Sequence, residues 1–155
     1  MKKRKAYIFD VDGTLADVSS IIHYVKGDRT TEKFKKNFHK FHAESVNVPP
    51  HKEVVDMVWD AVDTGFDIIV VTARKEMWRA QTSMWLAING IPSDALFMRQ
   101  DADNRKDYEV KKDILGHIEQ FWDVAHAVDD NPNVIKLWQE HGIETTKIGD
   151  WDGTY

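Results

Sequence analysis

Short apolar runs alternate along this chain with longer amphipathic segments. Five runs rich in β-branched residues, most of them ending at a polar residue or glycine, predict strands at 6–9, 67–71, 95–98, 124–128 and 145–148. Between them, apolar positions recur at helical spacing and predict helices at 50–64, 76–89, 107–118 and 132–141. Strands that alternate with crossover helices predict an α/β fold, in which a central parallel sheet carries helices on both faces. The ligand site of such a sheet lies at the carboxyl ends of its strands.

One segment, residues 16–50, breaks this alternation because it is too long for an ordinary connection between a strand and its crossover helix. Aromatic residues on one side of the segment predict a helix at 31–45, preceded by a turn at 26–28. His39 and His42 lie three residues apart in that helix, and we expect them to pack in the cap or at the surface, because no further metal ligands accompany them. We interpret 16–50 as a small helical cap or lid inserted after the first strand. An extra packing helix is the alternative interpretation.

The composition fits one globular domain over residues 1–155. Its 21 Lys and Arg stand against 26 Asp and Glu, so a formal charge of -5 argues against coating nucleic acid through bulk positive charge, while leaving room for a local basic pocket. Without cysteine there is neither a disulfide framework nor a thiolate zinc site. No apolar run approaches the roughly 20 residues that span a bilayer, and the run after the basic start is too short for a secretory signal. We therefore expect a cytoplasmic protein without a membrane partner.

The first predicted strand ends in Asp10-Val11-Asp12-Gly13-Thr14, where two carboxylates two residues apart precede a glycine turn. Such a string also occurs in turns and calcium loops, but the downstream Glu of a calcium loop is missing here. The segment resembles the nucleophile motif of the haloacid dehalogenase (HAD) superfamily. That resemblance implies a Rossmann-like HAD fold in which Asp10 attacks phosphorus to form an aspartyl-phosphate, while Asp12 protonates the leaving oxygen and later activates water. Residues i and i+2 of an extended segment point the same way, so both carboxylates can face one phosphoryl group.

Further elements follow in the order of that superfamily. The second predicted strand leads into Thr72-Ala73-Arg74, where the resemblance implies that the Thr72 hydroxyl binds a non-bridging phosphate oxygen. Taken alone, Thr72 could merely start a turn, and Arg74 could equally be a solvated loop charge. The superfamily also supplies a basic residue between the third strand and the next helix, which stabilises charge as it develops on the transferred group. We assign that role to Lys111, with Lys106 and Lys112 as competing candidates.

The fourth predicted strand ends in Asp129-Asp130, an acidic pair at the position of the superfamily's metal motif. Two charges at the end of an apolar strand are costly unless they are paired or bind a metal. With Asp10 and the backbone carbonyl of Asp12 they would form an all-oxygen site suited to Mg²⁺. We expect Asp130 to be a direct ligand, whereas Asp129 could bind the metal, contact Lys111, or do both.

A narrower resemblance rests on the runs 104–111 and 128–138, which are similar to the 3′-phosphatase domain of phage polynucleotide kinase/phosphatase. It implies a Mg²⁺-dependent phosphomonoesterase that removes a 3′-phosphate from a DNA or RNA end or from a nucleotide. The chain has no Gly-x-x-x-x-Gly-Lys-Ser/Thr motif, so we expect no P-loop kinase domain in it. The resemblance assigns Asp10, Asp12, Thr72 and Lys111 to catalysis, and Gly13, Thr14, Ala73, Arg74 and Arg99 to substrate binding.

Two other functions compete with this interpretation. A nucleotidase or small-molecule phosphomonoester phosphatase would use the 16–50 segment to narrow the site towards small substrates. A non-catalytic binding module would lack one of the essential groups, yet Asp10, Asp12, Thr72, Lys111 and Asp130 are all present.

Overall fold

The computed structural model describes residues 2–25 and 36–153. Within these ranges the strands are β1 (Arg4–Phe9), β2 (Asp67–Lys75), β3 (Ala95–Arg99), β4 (Trp122–Asp129) and β5 (Glu144–Lys147). They form one sheet in the order β3-β2-β1-β4-β5, and every neighbouring pair is parallel. The predicted parallel α/β fold is confirmed.

The α-helices of the described residues are α1 (Phe38–Glu44), α2 (Lys52–Asp63), α3 (Arg79–Ile88), α4 (Asp107–Ile118) and α5 (Pro132–Glu140). Short 3₁₀ helices lie at Ile22–Tyr24, Ser45–Asn47 and Glu76–Trp78. In the part of the chain that the structure describes, no helix is long and apolar enough to cross a membrane.

Two hydrophobic clusters cover the two faces of the sheet. Because successive strand residues point to opposite faces, Phe9 of β1 packs in one cluster and Ile8 in the other. The Phe9 cluster includes buried residues of α2 and α3, whereas the Ile8 cluster includes those of α4 and α5. β1 therefore lies in the middle of the sheet with both faces covered, and its carboxyl end is held rigidly.

The predicted strands and helices differ from the observed ones mainly in their boundaries, where the sequence becomes polar. β2 continues four residues past its predicted end to Lys75, because after a register shift Lys75 pairs with Arg99 of β3. The predicted helix at 76–89 is divided into a 3₁₀ turn and α3, and Arg79 at the junction donates to Glu76 and to the carbonyl of Leu96.

The segment between β1 and α2 has its two ends side by side. Ala16 forms a β-bridge with Pro50, and the backbone N–H of Asp17 donates to the carbonyl of Pro49 at 2.9 Å. Between these ends, Phe41 of α1 and Val48 are buried in the same cluster as Phe9. Part of the predicted helix at 31–45 is confirmed by α1, while residues 31–35 and the predicted turn at 26–28 lie outside the described residues.

Candidate active site

Asp10 follows the last residue of β1, and its backbone N–H donates to the carbonyl of Val128 on the neighbouring strand at 3.0 Å. The residue is buried, with 6% of its surface exposed. Oδ1 accepts a hydrogen bond from Nζ of Lys111 at 3.0 Å, and Oδ2 accepts one from the Thr14 hydroxyl at 3.1 Å. The side chain is therefore fixed at the carboxyl edge of the sheet, where the sequence analysis places the site.

Lys111, on the first turns of α4, joins Asp10 to the end of β4. Its Nζ also donates to Oδ2 of Asp129 at 2.6 Å, and the lysine is 2% exposed. Burial alone would lower the pKa of Lys111, but the carboxylates of Asp10 and Asp129 outweigh it and raise that pKa. The two competing candidates, Lys106 and Lys112, are exposed, so Lys111 is the lysine that the fold brings to Asp10.

Asp10, Asp129 and Asp130 form a cluster whose carboxylate oxygens lie within 4.8 Å of one another. Burial and the charge of Asp129 raise the pKa of Asp10 to about 7, despite Lys111. Burial and the charges of Asp10 and Asp129 raise the pKa of Asp130 to about 10. The single positive charge of Lys111 does not balance three carboxylates, so the cluster has excess negative charge when all of them are ionised. A divalent cation would supply the missing positive charge, and an all-oxygen donor set suits a hard cation.

Gly13 lies directly against this cluster. Its φ is +80°, and a Cβ atom at this position would lie 2.0 Å from Oδ2 of Asp130. No side chain fits in that space, so only glycine allows the turn after Asp12 to pass beside the acidic cluster.

Asp12 is held by Arg74 at the end of β2. Nε and Nη2 of Arg74 donate to the two carboxylate oxygens of Asp12 at 2.9 and 2.5 Å, and Nη1 donates to the hydroxyl of Thr82 at 3.1 Å. Burial alone would raise the pKa of Asp12, but the guanidinium outweighs it and lowers that pKa. Because Arg74 is 2% exposed and three of its donors are engaged, it orients Asp12 in this structure.

The other residues expected to bind phosphate are placed around the same edge. Arg99 is buried and donates to the carbonyls of Ala73, Asp103 and Arg105 and to a carboxylate oxygen of Asp107, so it ties the end of β2 to the loop before α4. The Thr72 hydroxyl accepts from the backbone N–H of Arg74 at 3.2 Å and lies on the wall of the cleft described next.

A cleft of about 1200 Å³ opens above the edge of the sheet and contains these groups. One wall is formed by α1 and the 3₁₀ turn before α3, and it includes Phe38, His42 and Trp78. The opposite wall comes from the start of α4 and from α5. The sequence analysis does not assign His42 or Trp78 to the site, because their positions follow from how α1 packs. For His42, the aromatic residues on one side of that helix are the sequence signal that could have indicated its position, whereas Trp78 lies in the separate predicted helix at 76–89.

Comparison with known proteins gives concordant results. Residues 4–152 match the sequence profile of a family described as the polynucleotide kinase PNKP phosphatase domain. A chain from the structure of a Pnkp1/Rnl/Hen1 complex is 25% identical, with a TM-score of 0.78 over 97% of this chain and 48% of that one. A chain from the Pnkp1/Rnl/Hen1 RNA repair complex is 25% identical, with a TM-score of 0.75 over 96% of this chain and 44% of that one. The present chain thus spans about half the length of these two chains.

A class C acid phosphatase from Bacillus anthracis with tungstate bound shares the fold. It is 17% identical, with a TM-score of 0.68 over 86% of this chain and 54% of that one. The resemblance indicated by the sequence motifs is confirmed by the family match, which covers almost the whole chain.

Proposed function

Since this chain belongs to the family of polynucleotide kinase PNKP phosphatase domains and is a HAD-type phosphatase, we propose that it removes 3′-phosphates from polynucleotide ends. We propose further that the reaction is Mg²⁺-dependent and passes through an aspartyl-phosphate. The observation that carries this proposal is the buried carboxylate of Asp10, held by Lys111 beside an acidic cluster at the floor of an open cleft.

In the proposed reaction, a carboxylate oxygen of Asp10 attacks phosphorus and the bond from phosphorus to the 3′-oxygen breaks. Asp12 would give a proton to that oxygen, so that the nucleoside leaves as an alcohol, and for this step its carboxyl must first take up a proton against the influence of Arg74. Water then attacks the phosphorus of the acyl-phosphate, Asp12 takes the proton from the water, and inorganic phosphate and free Asp10 result. Lys111 and Thr72 would contact the non-bridging oxygens and stabilise their charge.

Asp10 and Asp130, with the backbone carbonyl of Asp12, would hold Mg²⁺. Asp129 would complete the cluster mainly by positioning its neighbours, because Oδ2 accepts from Lys111 and Oδ1 accepts from the backbone N–H of Asn131. The bound cation would offset the negative charge of the phosphoryl group and align its oxygens.

Charge at the mouth of the cleft supports a polynucleotide as the substrate. Five lysines on the cleft walls, here called the rim lysines, form no ion pair with any residue in the described ranges; they are Lys36, Lys75, Lys106, Lys112 and Lys136. Apart from Asp12 and the acidic cluster, the acidic residues that line the cleft are Asp103 and Asp107, which are paired with arginines, and Glu140, which forms no ion pair with a described residue, so the rim lysines outnumber the unpaired rim carboxylates. A chain with a net charge of -5 thus concentrates unpaired positive charge around one cleft, as binding of further phosphates would require.

We also propose that residues 1–155 form a single phosphatase domain in which 16–50 acts as a cap. In support, α1 contributes to the cleft wall while Phe41 and Val48 pack in the main core. The same position of α1 favours the second candidate, a nucleotidase or small-molecule phosphatase, because a cap close to the nucleophile could limit the size of the substrate.

Phosphate release separates the two functions. We would compare, in Mg²⁺, an oligonucleotide with a 3′-phosphate, the same oligonucleotide with a 5′-phosphate, and a nucleoside 3′-monophosphate. A strong preference for the 3′-phosphorylated oligonucleotide is expected. An equal or faster reaction with the mononucleotide would replace our proposal with the nucleotidase.

Two controls test the chemistry itself. Asp10→Asn should abolish release with every substrate while the far-UV circular dichroism stays unchanged, and rapid hydrolysis by this variant would exclude Asp10 as the nucleophile. A chelator should stop the wild-type reaction and added Mg²⁺ should restore it. Full activity in excess chelator would remove the metal from the mechanism.

A further inference from the structure

Phe38, the first residue of α1, exposes an aromatic side chain at the mouth of the cleft. It lines the cleft, yet 53% of its surface is exposed. Two more large apolar residues, Met77 and Tyr108, also line the cleft and are exposed. Single exposed apolar residues are common on protein surfaces, but several of them around one cleft indicate a surface that binds a ligand.

The backbone that carries Phe38 is held on its N-terminal side. The preceding residue, Asn37, donates its backbone N–H to the carbonyl of Tyr24 at 2.7 Å. The side-chain oxygen of Asn37 also caps α1, because it accepts a hydrogen bond from the backbone N–H of Lys40 at 3.0 Å. Phe38 therefore starts a capped helix whose position relative to the preceding 3₁₀ helix is fixed by a hydrogen bond.

The ring of Phe38 packs against a second ring of the same helix. The imidazole of His42, one turn further along α1, is stacked with it, with centroids 6.4 Å apart and ring planes 24° apart. His42 in turn contacts the buried rings of Phe41 and Trp78, at centroid distances of 5.2 and 5.7 Å. The phenyl ring is thus oriented from the core side, while more than half of the surface of Phe38 is open to a ligand.

Positive charge accompanies the exposed rings. Nζ of Lys36, a rim lysine, lies 5.9 Å from the ring centroid of Phe38. On the opposite wall, Tyr108 lies four residues before the rim lysine Lys112, so the two share one face of α4. Proteins that bind single-stranded nucleic acid combine the same two features, because basic side chains attract the phosphates while the bases stack on aromatic rings.

We propose that Phe38 is a stacking platform for one of the last two bases of the substrate strand. This inference rests on the proposed function. With the terminal 3′-phosphate bound at Asp10 on the floor, the strand must leave through the mouth of the cleft, where Phe38 is exposed beside Lys36. Every base has a flat π-face, so such a platform favours polynucleotides without selecting a sequence. The 16–50 segment would then contribute to binding the strand as well as to shaping the cleft.

The test combines a substitution of the ring with removal of the base. Phe38→Leu removes the aromatic ring but keeps an apolar side chain, whereas Phe38→Trp keeps an aromatic face. For the wild type and both variants we would measure kcat/KM with three substrates. One is a complete 3′-phosphorylated oligonucleotide, and the other two are the same oligonucleotide without the base of its last or of its next-to-last nucleotide.

Phe38→Leu should lower kcat/KM for the complete oligonucleotide on the order of tenfold, the effect of one lost stack between a base and an aromatic ring. The loss should appear mainly as a higher KM, because the ring contacts the base rather than the reacting atoms. Phe38→Trp should retain more of the wild-type value than Phe38→Leu. With the abasic substrate that lacks the stacked base, the loss caused by Phe38→Leu should be several-fold smaller.

Equal losses on all three substrates would mean that Phe38 acts only through the packing of α1, and they would overturn the inference. The absence of any loss on the complete oligonucleotide would do the same. The matched control is Phe121→Leu, because Phe121 is 66% exposed between α4 and β4 and is not one of the described residues that line the cleft. This control should match the wild type on all three substrates.

The wild type separates a failure of this inference from a failure of the proposed function. A wild-type protein without preference for the 3′-phosphorylated oligonucleotide over a nucleoside 3′-monophosphate would contradict the proposed function. A wild-type protein with that preference, in which Phe38→Leu costs as much without the base as with it, would contradict only the role of Phe38.

Discussion

Replacing Lys111 with methionine tests how the acidic cluster is balanced. Lys111 is 2% exposed and donates to Asp10 at 3.0 Å and to Asp129 at 2.6 Å. Methionine has a similar length and fills the same space with an apolar chain, so the substitution removes the charge without opening a large cavity. Three clustered carboxylates would then lose the lysine that balances them.

The expected loss of stability follows from this burial. Removing one partner of a buried ion pair costs about 3–5 kcal/mol, and the lower end applies here because the carboxylates can take up protons in response. At this chain length, 1 kcal/mol corresponds to about 2–4 °C in melting temperature, so Lys111→Met should melt about 6–12 °C below the wild type in chelator.

Thermal unfolding followed by circular dichroism, with chelator and with Mg²⁺, measures the effect. Mg²⁺ should stabilise Lys111→Met more than the wild type, because a cation bound by the cluster replaces the lost charge. The matched control is Lys112→Met, on the next residue of α4, which is exposed and should change stability by less than about 0.5 kcal/mol. A melting temperature of Lys111→Met within about 2 °C of the wild type in chelator would refute this account. A difference in melting temperature between the two proteins that grows when Mg²⁺ is added would refute it as well.

Three further predictions follow from other contacts. Gly13→Ala should reduce phosphate release in Mg²⁺ on the order of 100-fold, because the added Cβ would displace a carboxylate of the acidic cluster. Gly142→Ala is the control, since Gly142 has a similar φ of +76° but open space around it. It should lower the free energy of unfolding by only about 1–2 kcal/mol and leave phosphate release unchanged. Asp67→Asn should lose about 1 kcal/mol in urea unfolding at pH 7, because Arg4 hydrogen-bonds the carboxylate. Since Arg4 lowers the pKa of Asp67, this stabilisation is present above about pH 4 and is lost as the pH falls further. If the wild type and Asp67→Asn differed in free energy of unfolding as much at pH 2 as at pH 7, the prediction would be contradicted. Lys136→Ala, at a rim lysine, should reduce the slope of log kcat/KM against log salt concentration by about 1 with a 3′-phosphorylated oligonucleotide, and an unchanged slope would mean that this lysine contacts no phosphate.

Most of the fold could be predicted because its signals are local. All five strands and the crossover helices occur where apolar periodicity indicates them, and Lys111 lies where the resemblance implies a basic residue. The end of β2 was wrong for a physical reason. Apart from Ala73, residues 72–75 are polar and would usually form a loop, but their backbone rejoins the sheet through Lys75 and Arg99, a pairing that no local pattern records.

The part of the site that could not be predicted depends on long-range partners. Arg74 is engaged with Asp12 from 62 residues away, and Arg99 is engaged with backbone carbonyls. A sequence gives the charge of an arginine but not the acceptors that the fold brings to it, so these contacts of Arg74 and Arg99 could not be predicted, while their assignment to substrate binding stays a prediction. His42 was missed because its position depends on the packing of a short helix rather than on a motif.

The bridge between Ala16 and Pro50 has a consequence for how the substrate range of such a domain can change. The segment 16–50 leaves the sheet and returns to it at this bridge, so its length can change while the distance between its ends stays fixed. The entropic cost of closing such a loop grows only with the logarithm of its length. Mutations here would alter the cleft wall that α1 contributes, whereas Asp10, the proposed nucleophile, is held by β1, β4 and α4. The architecture thus allows recognition to evolve separately from phosphoryl transfer, provided that the anchors Phe41 and Val48 stay apolar.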